Sequence, residues 1–401
     1  MAEWILRARR FDTSGLVEVL LRDGHVQAVR SAATPAQEQG ATFEKGRHNV
    51  LEAEYLAPGF WDIQVNGALG HNFTSRELTP DAVRAVCEAC LRHGTTHFCP
   101  TVITSDAETI SFALRALTRA IDDDALVREM VLGFHLEGPY ICPDPGPRGA
   151  HPAEHVRPPD WEEFSRWQEA AQGRIRVVTL APTWPQAIQF IARLSERGVV
   201  VALGHHNAGS DQIKSAVRAG ARLCTHLGNG CDLFLPRHPN YLWDQLAEDA
   251  LWASIICDGH HLPGSVIKCI VRCKTPSRCL LISDASPLAG LPAGEYSLWG
   301  KRVTLHENGR TETVDERGQR LLAGAACFLD TGVARAWRDT DLALAQAVEL
   351  ASLQPRRLLS QATDDFLQPG ARADFVLFDV GEDRLRIRYT ILGEQVVRGE
   401  I

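Results

Sequence analysis

The chain has 401 residues, 45% of them hydrophobic and 23% charged, and carries a net charge of −8 at pH 7. That is ordinary globular composition, long enough for one large domain with an appendage. The acidic balance supplies no polyanion-binding surface, which argues against nucleic acid, and no apolar run approaches a signal peptide or a membrane span.

Near the N-terminus, Trp4-Ile5-Leu6, Val17 to Leu21 and Val26 to Val29 read as strands, with Asp23-Gly24 as a hairpin turn. Three further strand-like runs close the chain: Ala373 to Phe378, Leu385 to Ile391 and Gly393 to Val397. Neither end can close a core alone. The sequence therefore predicts a small β-sandwich built from residues 1–57 plus 368–401, flanking a central domain over 58–367.

The central domain begins at Pro58-Gly59-Phe60-Trp61-Asp62-Ile63-Gln64-Val65-Asn66-Gly67. Further strands are expected to end near Val102, Glu137, Pro182, His205, His226, Asp258 and Asp284. Helical stretches fall between most of them, at Pro80–His93, Ala107–Asp122, Trp161–Gln172, Pro185–Arg197, Ser210–Arg218 and His261–Lys274. Strands alternating with helices in this way predict an α/β fold, a closed (β/α)8 TIM-like barrel. A Gly-rich stretch over about 288–325 reads as a hairpin insertion, with turns at Glu307-Asn308-Gly309 and Arg317-Gly318. Helices then follow around Asp330–Arg338 and Asp341–Ser352. The eleven cysteines have no framework spacing, which fits a reduced, cytoplasmic setting. Cys87 and Cys90 form a CxxC on an apparent helix without a second pair, and read as small buried apolar residues.

The stretch Val199 to Gly230 organises the chemistry. Each of two consecutive strand–helix units delivers a histidine at the end of its strand, His205 and then His226. Glu137 ends the third strand in GFHLEGPY and Asp284 ends the eighth in LLISDASPLAG. A single such histidine is ordinarily a core residue, Glu137 alone could be a buried ion-pair member, and Asp284 alone a helix cap. Four of them at one barrel mouth point instead to a metal site. Two neutral imidazoles and a carboxylate leave a divalent ion a net positive charge and an open position, where water turns to hydroxide near neutral pH. Asp284 would accept the water's proton and return it to the leaving group. His206 beside His205, and His260 beside His261, leave two candidates for the inward-facing ring at each place.

The ordered motifs PGFWDIQVNG, GTTHFCPT, HLEGPY, GAHP, GHHNA, THLGNG, CDGHH, SDASPLAG and PGARADFVLFD resemble the N-acetylglucosamine-6-phosphate deacetylases of the amidohydrolase superfamily over nearly the whole chain. The resemblance implies Glu137, His205 and His226 as metal ligands, Asp284 as general base and acid, and His151 as the contact to the acyl carbonyl and oxyanion. It implies Asn229 and Gly230 as sugar-holding positions, and Arg237 with His261 as binders of the 6-phosphate, one member of which can come from a second subunit. Read from the residues alone, Arg237 could be a phosphate fork or a solvated loop arginine. Gln64 and Asn66 stand where the superfamily usually carries a His-x-His pair, so one divalent ion per chain is implied: zinc first, with iron, cobalt or manganese also suited to this ligand set. The implied reaction converts N-acetylglucosamine 6-phosphate to glucosamine 6-phosphate and acetate, in a cytoplasmic homodimer with a small-molecule substrate. Hydrolysis of another N-acyl amino sugar, a cyclic amide or a ureido compound is the alternative, and a non-catalytic sugar-binding barrel is a third reading. The sequence departs from the family pattern at Ala150 and Pro152, Thr183, Gly228, Gly230 and Cys231, at Pro236, His238, Pro239 and Asn240 around Arg237, and at Ala325. These changes cluster where sugar and phosphate would sit, while the metal and base positions are intact.

Overall fold

The computed structural model describes residues 3–31, 49–314, 318–361 and 365–399. Eight parallel strands run in sequence order around a barrel: Phe60–Val65 (β1), Thr95–Ile103 (β2), Phe134–Glu137 (β3), Ile175–Leu180 (β4), Val200–Leu203 (β5), Ala221–Cys224 (β6), Trp252–Ile256 (β7) and Cys279–Ile282 (β8). The seam between β8 and β1 closes just past the strand ends. Asp284 N donates to Gln64 O at 3.0 Å, Asn66 N donates to Ala285 O at 2.8 Å, and Val65 bridges Ala285 in parallel.

Alternation along each strand sorts the side chains. Phe98, Val102, Phe134, Leu136, Val178, Leu180, Val201 and Leu203 pack outward with the helices in one large core. Ile63, Cys99, Val177, Ala202, Leu223 and Leu280 form a separate cluster that fills the barrel. Because Glu137 and His135 are two residues apart, both face inward. His135 fills the layer below Glu137, with Nε2 2.8 Å from Thr179 Oγ1 and Nδ1 3.1 Å from Ile63 O.

Both chain ends meet as the sequence predicts. They form one seven-stranded mixed sheet, ordered 395–398, 385–392, 374–380, 49–58, 3–10, 16–22 and 25–31. This sheet keeps a small core of its own, including Leu6, Val19, Leu51, Leu56, Phe375, Leu377 and Ile391. Strand Asn49–Pro58 passes almost directly into β1, so the end sheet is attached to the start of the barrel.

The expected helices are present, with shifted ends. The one expected from His261 begins at Gly264, because the Asp258 carboxylate accepts the backbone N–H groups of His260 and His261, both at 2.8 Å, and holds that segment as a turn. Short helices at Ala125–Met130, Tyr241–Ala247 and Leu353–Leu358 escaped the sequence reading. They span barely two turns, too little for a periodic signal. Cys87 and Cys90 lie buried on helix Pro80–Arg92, as expected.

The insertion is a four-stranded antiparallel sheet, Gly294–Leu298, Lys301–Leu305, Thr311–Val314 and Arg320–Leu321. Its Asn308-Gly309 turn forms as expected, with Gly309 N bonded to His306 O at 2.9 Å. Arg317 of the other expected turn lies outside the described residues. The return of the sheet is fastened to the barrel seam, with Ala325 N on Asp284 O at 3.1 Å and Ser286 N on Ala325 O at 2.8 Å. Among the described residues, no helix is long and apolar enough to cross a membrane.

Candidate metal centre and active site

Glu137 is the last residue of β3, whereas His205 and His226 stand two residues beyond β5 and β6 and Asp284 two beyond β8. His205, His226 and Asp284 have φ of +53°, +31° and +50°, which turns the chain sharply and aims each side chain across the barrel mouth. Non-glycine residues adopt this left-handed backbone at a cost of about 1–2 kcal/mol, and such strain collects at functional sites.

The three ligand atoms converge. Glu137 Oε1 lies 3.2 Å from His205 Nε2 and 3.0 Å from His226 Nε2, and the two Nε2 atoms are 3.1 Å apart. Donors around a tetrahedral ion at about 2.0–2.1 Å would stand roughly 3.3 Å from one another. His205 Nδ1 is 2.8 Å from Pro147 O, and a carbonyl can only accept. The proton is therefore fixed on Nδ1, and Nε2 presents its lone pair to the same point as Glu137. Two imidazole nitrogens and a carboxylate oxygen this close, all buried, form a donor set that fits a divalent cation.

The electrostatics agree. Burial would push the Glu137 carboxyl up, but hydrogen bonds and charge from both histidines hold it well below the ordinary carboxylate range. Burial opposes charge on His226 as well, yet Glu137, with Asp284 behind it, raises its proton affinity. The pocket thus favours positive charge at this point.

Asp284 faces the same cavity under different constraints. Burial, then the negative charge of Glu137, raises its pKa. Gln64 Nε2 and Asn66 Nδ2 both donate to its Oδ1, at 3.0 and 2.8 Å. The two amide nitrogens thus orient the Asp284 carboxylate. Asp62, one layer below, accepts from Gln64 N and Ser283 N at 3.2 Å each. Burial pushes its carboxyl up to about 7.

His151 lies on the loop after β3, its ring centroid 4.4 Å from that of His205. Its Nδ1 is 2.8 Å from Thr104 Oγ1, and burial, then the neighbouring His205, lowers its pKa to about 3. It stands as a neutral imidazole. Arg148, whose Nη1 donates to His151 O at 3.0 Å, ties the loop down. Gly230 (φ +55°) lies against His205, and a Cβ there would come within 2.7 Å of His205 Nδ1.

These groups share one cavity of about 280 Å³, lined among others by Asn66, Glu137, His151, His205, His226, Asn229, Gly230, His261 and Asp284. The structure also separates the paired histidines. His206 is buried away from the triad and accepts from Ala208 N at 3.1 Å. His261 reaches the cavity with Nδ1 2.7 Å from Asp258 Oδ2, whereas His260 Nε2 meets Asn308 O of the insertion at 2.9 Å. Of the expected site residues, Arg237 alone stands apart. It is exposed and is not part of the cavity wall, although Cys231 and Leu233 at the start of the same loop are.

Sequence reasoning missed Thr104, the Pro147 carbonyl, Asp258, Trp299 and Arg320. The Asp-x-x-His spacing of Asp258 and His261 was a readable signal. Thr104 directly follows β2, while Pro147, Trp299 and Arg320 reach the mouth from the loop after β3 and from the insertion, for which the chain has no local pattern.

Comparisons with known proteins bear on the same residues. Residues 55–242 match the Amidohydrolase family. The chain is 32% identical over 383 residues to N-acetylgalactosamine-6-phosphate deacetylase of Escherichia coli O157:H7, covering 94% of this chain and 95% of that one. It is 34% identical over 355 residues to the human N-acetylglucosamine-6-phosphate deacetylase, covering 85% and 83%. Among solved structures, that of a mutant N-acetyl-D-glucosamine-6-phosphate deacetylase from Mycobacterium smegmatis, in complex with N-acetyl-D-glucosamine-6-phosphate, superposes with a TM-score of 0.84 at 27% identity, covering 99% of each chain.

Proposed function

The chain belongs to the amidohydrolase family, within the amino-sugar 6-phosphate deacetylases, and from that premise we propose that it hydrolyses the acetamide of N-acetylglucosamine 6-phosphate. The observation that carries this reading is the convergence of Glu137, His205 and His226 opposite an Asp284 clamped by two amides. One divalent ion per chain, zinc first, fits those three side chains; when bound it supplies a Lewis acid that acidifies water and polarises the amide carbonyl.

The chain's own groups do the rest. Asp284, with Oδ1 held by Gln64 and Asn66, takes a proton from the attacking water and returns it to the departing amine. His151, neutral and braced by Thr104, presents its remaining ring nitrogen to the carbonyl oxygen as negative charge develops there. Asn229 and Gly230 line the wall where the sugar would lie, and His261 is held ready by Asp258 for the far end of the substrate. A cavity of about 280 Å³ suits a single monosaccharide phosphate.

Arg237, exposed on its own chain, would serve this reading by reaching the cavity of a second copy. Leu233, Phe234 and Trp243, exposed by 55%, 87% and 58%, lie on the same loop and the helix after it, an apolar surface suited to a homodimer contact. All eleven cysteines are unpaired, which supports a reducing, cytoplasmic setting.

Likeness to the E. coli relative over 95% of its length favours a second reading, the C4 epimer N-acetylgalactosamine 6-phosphate. Comparing kcat/KM for the two epimers on the metal-loaded enzyme tests both. We expect the gluco epimer to be preferred. A preference for the galacto epimer transfers the substrate name, and hydrolysis of neither removes it.

A further inference from the structure

A phosphorylated substrate needs a cation at the end of the pocket remote from the metal. Arg237 does not line the cavity of its own chain, but another arginine does. Arg320 stands at the cavity rim beside Trp299, Leu321 and Leu322 on the return strand of the insertion. Its backbone is placed by the sheet, Val314 pairing with Arg320 and Thr313 with Leu321. Five residues further on, past the end of that strand, Ala325 N donates to Asp284 O. The position of Arg320 is thus fixed relative to the reacting centre by a short, hydrogen-bonded run of chain.

Among the described residues, its charge is only partly neutralised. Arg320 Nη1 meets Glu312 Oε1 at 3.2 Å, and the other oxygen of Glu312 faces Arg310 Nη2 at 3.7 Å. Two guanidinium groups share one carboxylate, so the trio carries a net positive charge, and Arg320 is its member in the cavity wall. The Arg320 side chain is 74% exposed, and an ion pair with that much solvent access is weak and easily exchanged for a better anion. A phosphate dianion offers the guanidinium fork a bidentate partner with twice the charge of Glu312.

We propose that Arg320 is a specificity-determining residue of this site, contacting the substrate's phosphate from within the same chain. The inference rests on the deacetylase reading above and adds to it a cation carried by the insertion. Phosphate recognition then does not depend solely on a residue lent by a second copy.

The test compares the unaltered enzyme with Arg320→Ala and Arg320→Lys, using N-acetylglucosamine with and without its 6-phosphate. Arg320→Ala should lower kcat/KM for the phosphorylated sugar about 10-fold, chiefly through KM, and leave the unphosphorylated sugar unchanged. Arg320→Lys should recover part of the loss, and the penalty should shrink as ionic strength rises. Constant activity on the unphosphorylated sugar also shows that the variant is folded. Equal losses on both sugars, or no loss on either, would overturn the assignment of Arg320 while leaving deacetylation standing. If the unaltered enzyme fails to prefer the phosphorylated sugar, the phosphate reading itself falls, and this assignment with it.

Discussion

Asp62 provides a direct measure of the electrostatic setting at the seam where the barrel closes. It is 2% exposed, and its carboxyl is pushed up from an ordinary value near 3.8 to about 7, chiefly by burial, with Asp284 adding to the effect. In the unfolded chain the same carboxyl ionises near its ordinary value. Below about pH 4 the group is protonated in both states and exacts no charge penalty. As pH rises toward 7 the unfolded chain loses the proton while the folded chain retains it, so folding loses stability across that window. At 1.36 kcal/mol per pH unit the full displacement amounts to roughly 4 kcal/mol. Asn reproduces the protonated acid, and its oxygen can still accept from Gln64 N and Ser283 N. Asp62→Asn should therefore gain stability relative to the unaltered protein as pH rises, with most of that gain present by pH 8. Denaturant unfolding of both proteins at pH 4, 6 and 8 measures the difference, and effects common to both cancel. A difference that stays constant with pH, or falls as pH rises, would refute the claim that burial keeps this carboxyl protonated.

Asp284→Asn should retain one tightly bound ion per chain but lose about 100- to 10,000-fold in kcat, whereas His205→Ala should lose the ion itself; metal analysis alongside turnover separates the two. Two tightly held ions per chain would contradict the role given to Gln64 and Asn66. Gly230→Ala adds a Cβ about 2.7 Å from His205 Nδ1 at a left-handed backbone position. It should destabilise the protein by roughly 2–5 kcal/mol and weaken metal affinity by twisting the imidazole off its Pro147 bond, read out by unfolding and metal titration.

Much of the architecture was legible because strands buried on both faces are short apolar runs, and each run here is punctuated by a residue of distinctive chemistry. Val200–Leu203 ending before His205, and Ala221–Cys224 before His226, are the clearest cases. Asp23-Gly24 announced its hairpin because only residues tolerant of positive φ fit there, at +50° and +70°. The choice between His205 and His206 was not legible. One residue of register decides it, and register follows from the pairing of Leu203 with Leu180 and Cys224, partners distant in sequence. Arg237 and Arg320 illustrate the same limit from opposite sides. A local motif can mark an arginine for phosphate, but the path of a loop in space decides whose pocket it lines.

The closing seam also divides the site along the chain. All three metal-facing groups lie between Glu137 and His226, on strands β3, β5 and β6 of a sheet whose neighbours follow sequence order. Asp284 comes later, two residues beyond β8, and its carboxylate is oriented by Gln64 and Asn66 from the beginning of the barrel. A ribosome-bound chain exposed through His226 contains all three candidate ligands but not yet Asp284. Candidate ion binding and candidate proton transfer thus draw on separate parts of the chain. Pairing of β1 with the residues just past β8 closes the barrel and brings Asp284 to Gln64 and Asn66, and the insertion that follows supplies the rest of the pocket wall.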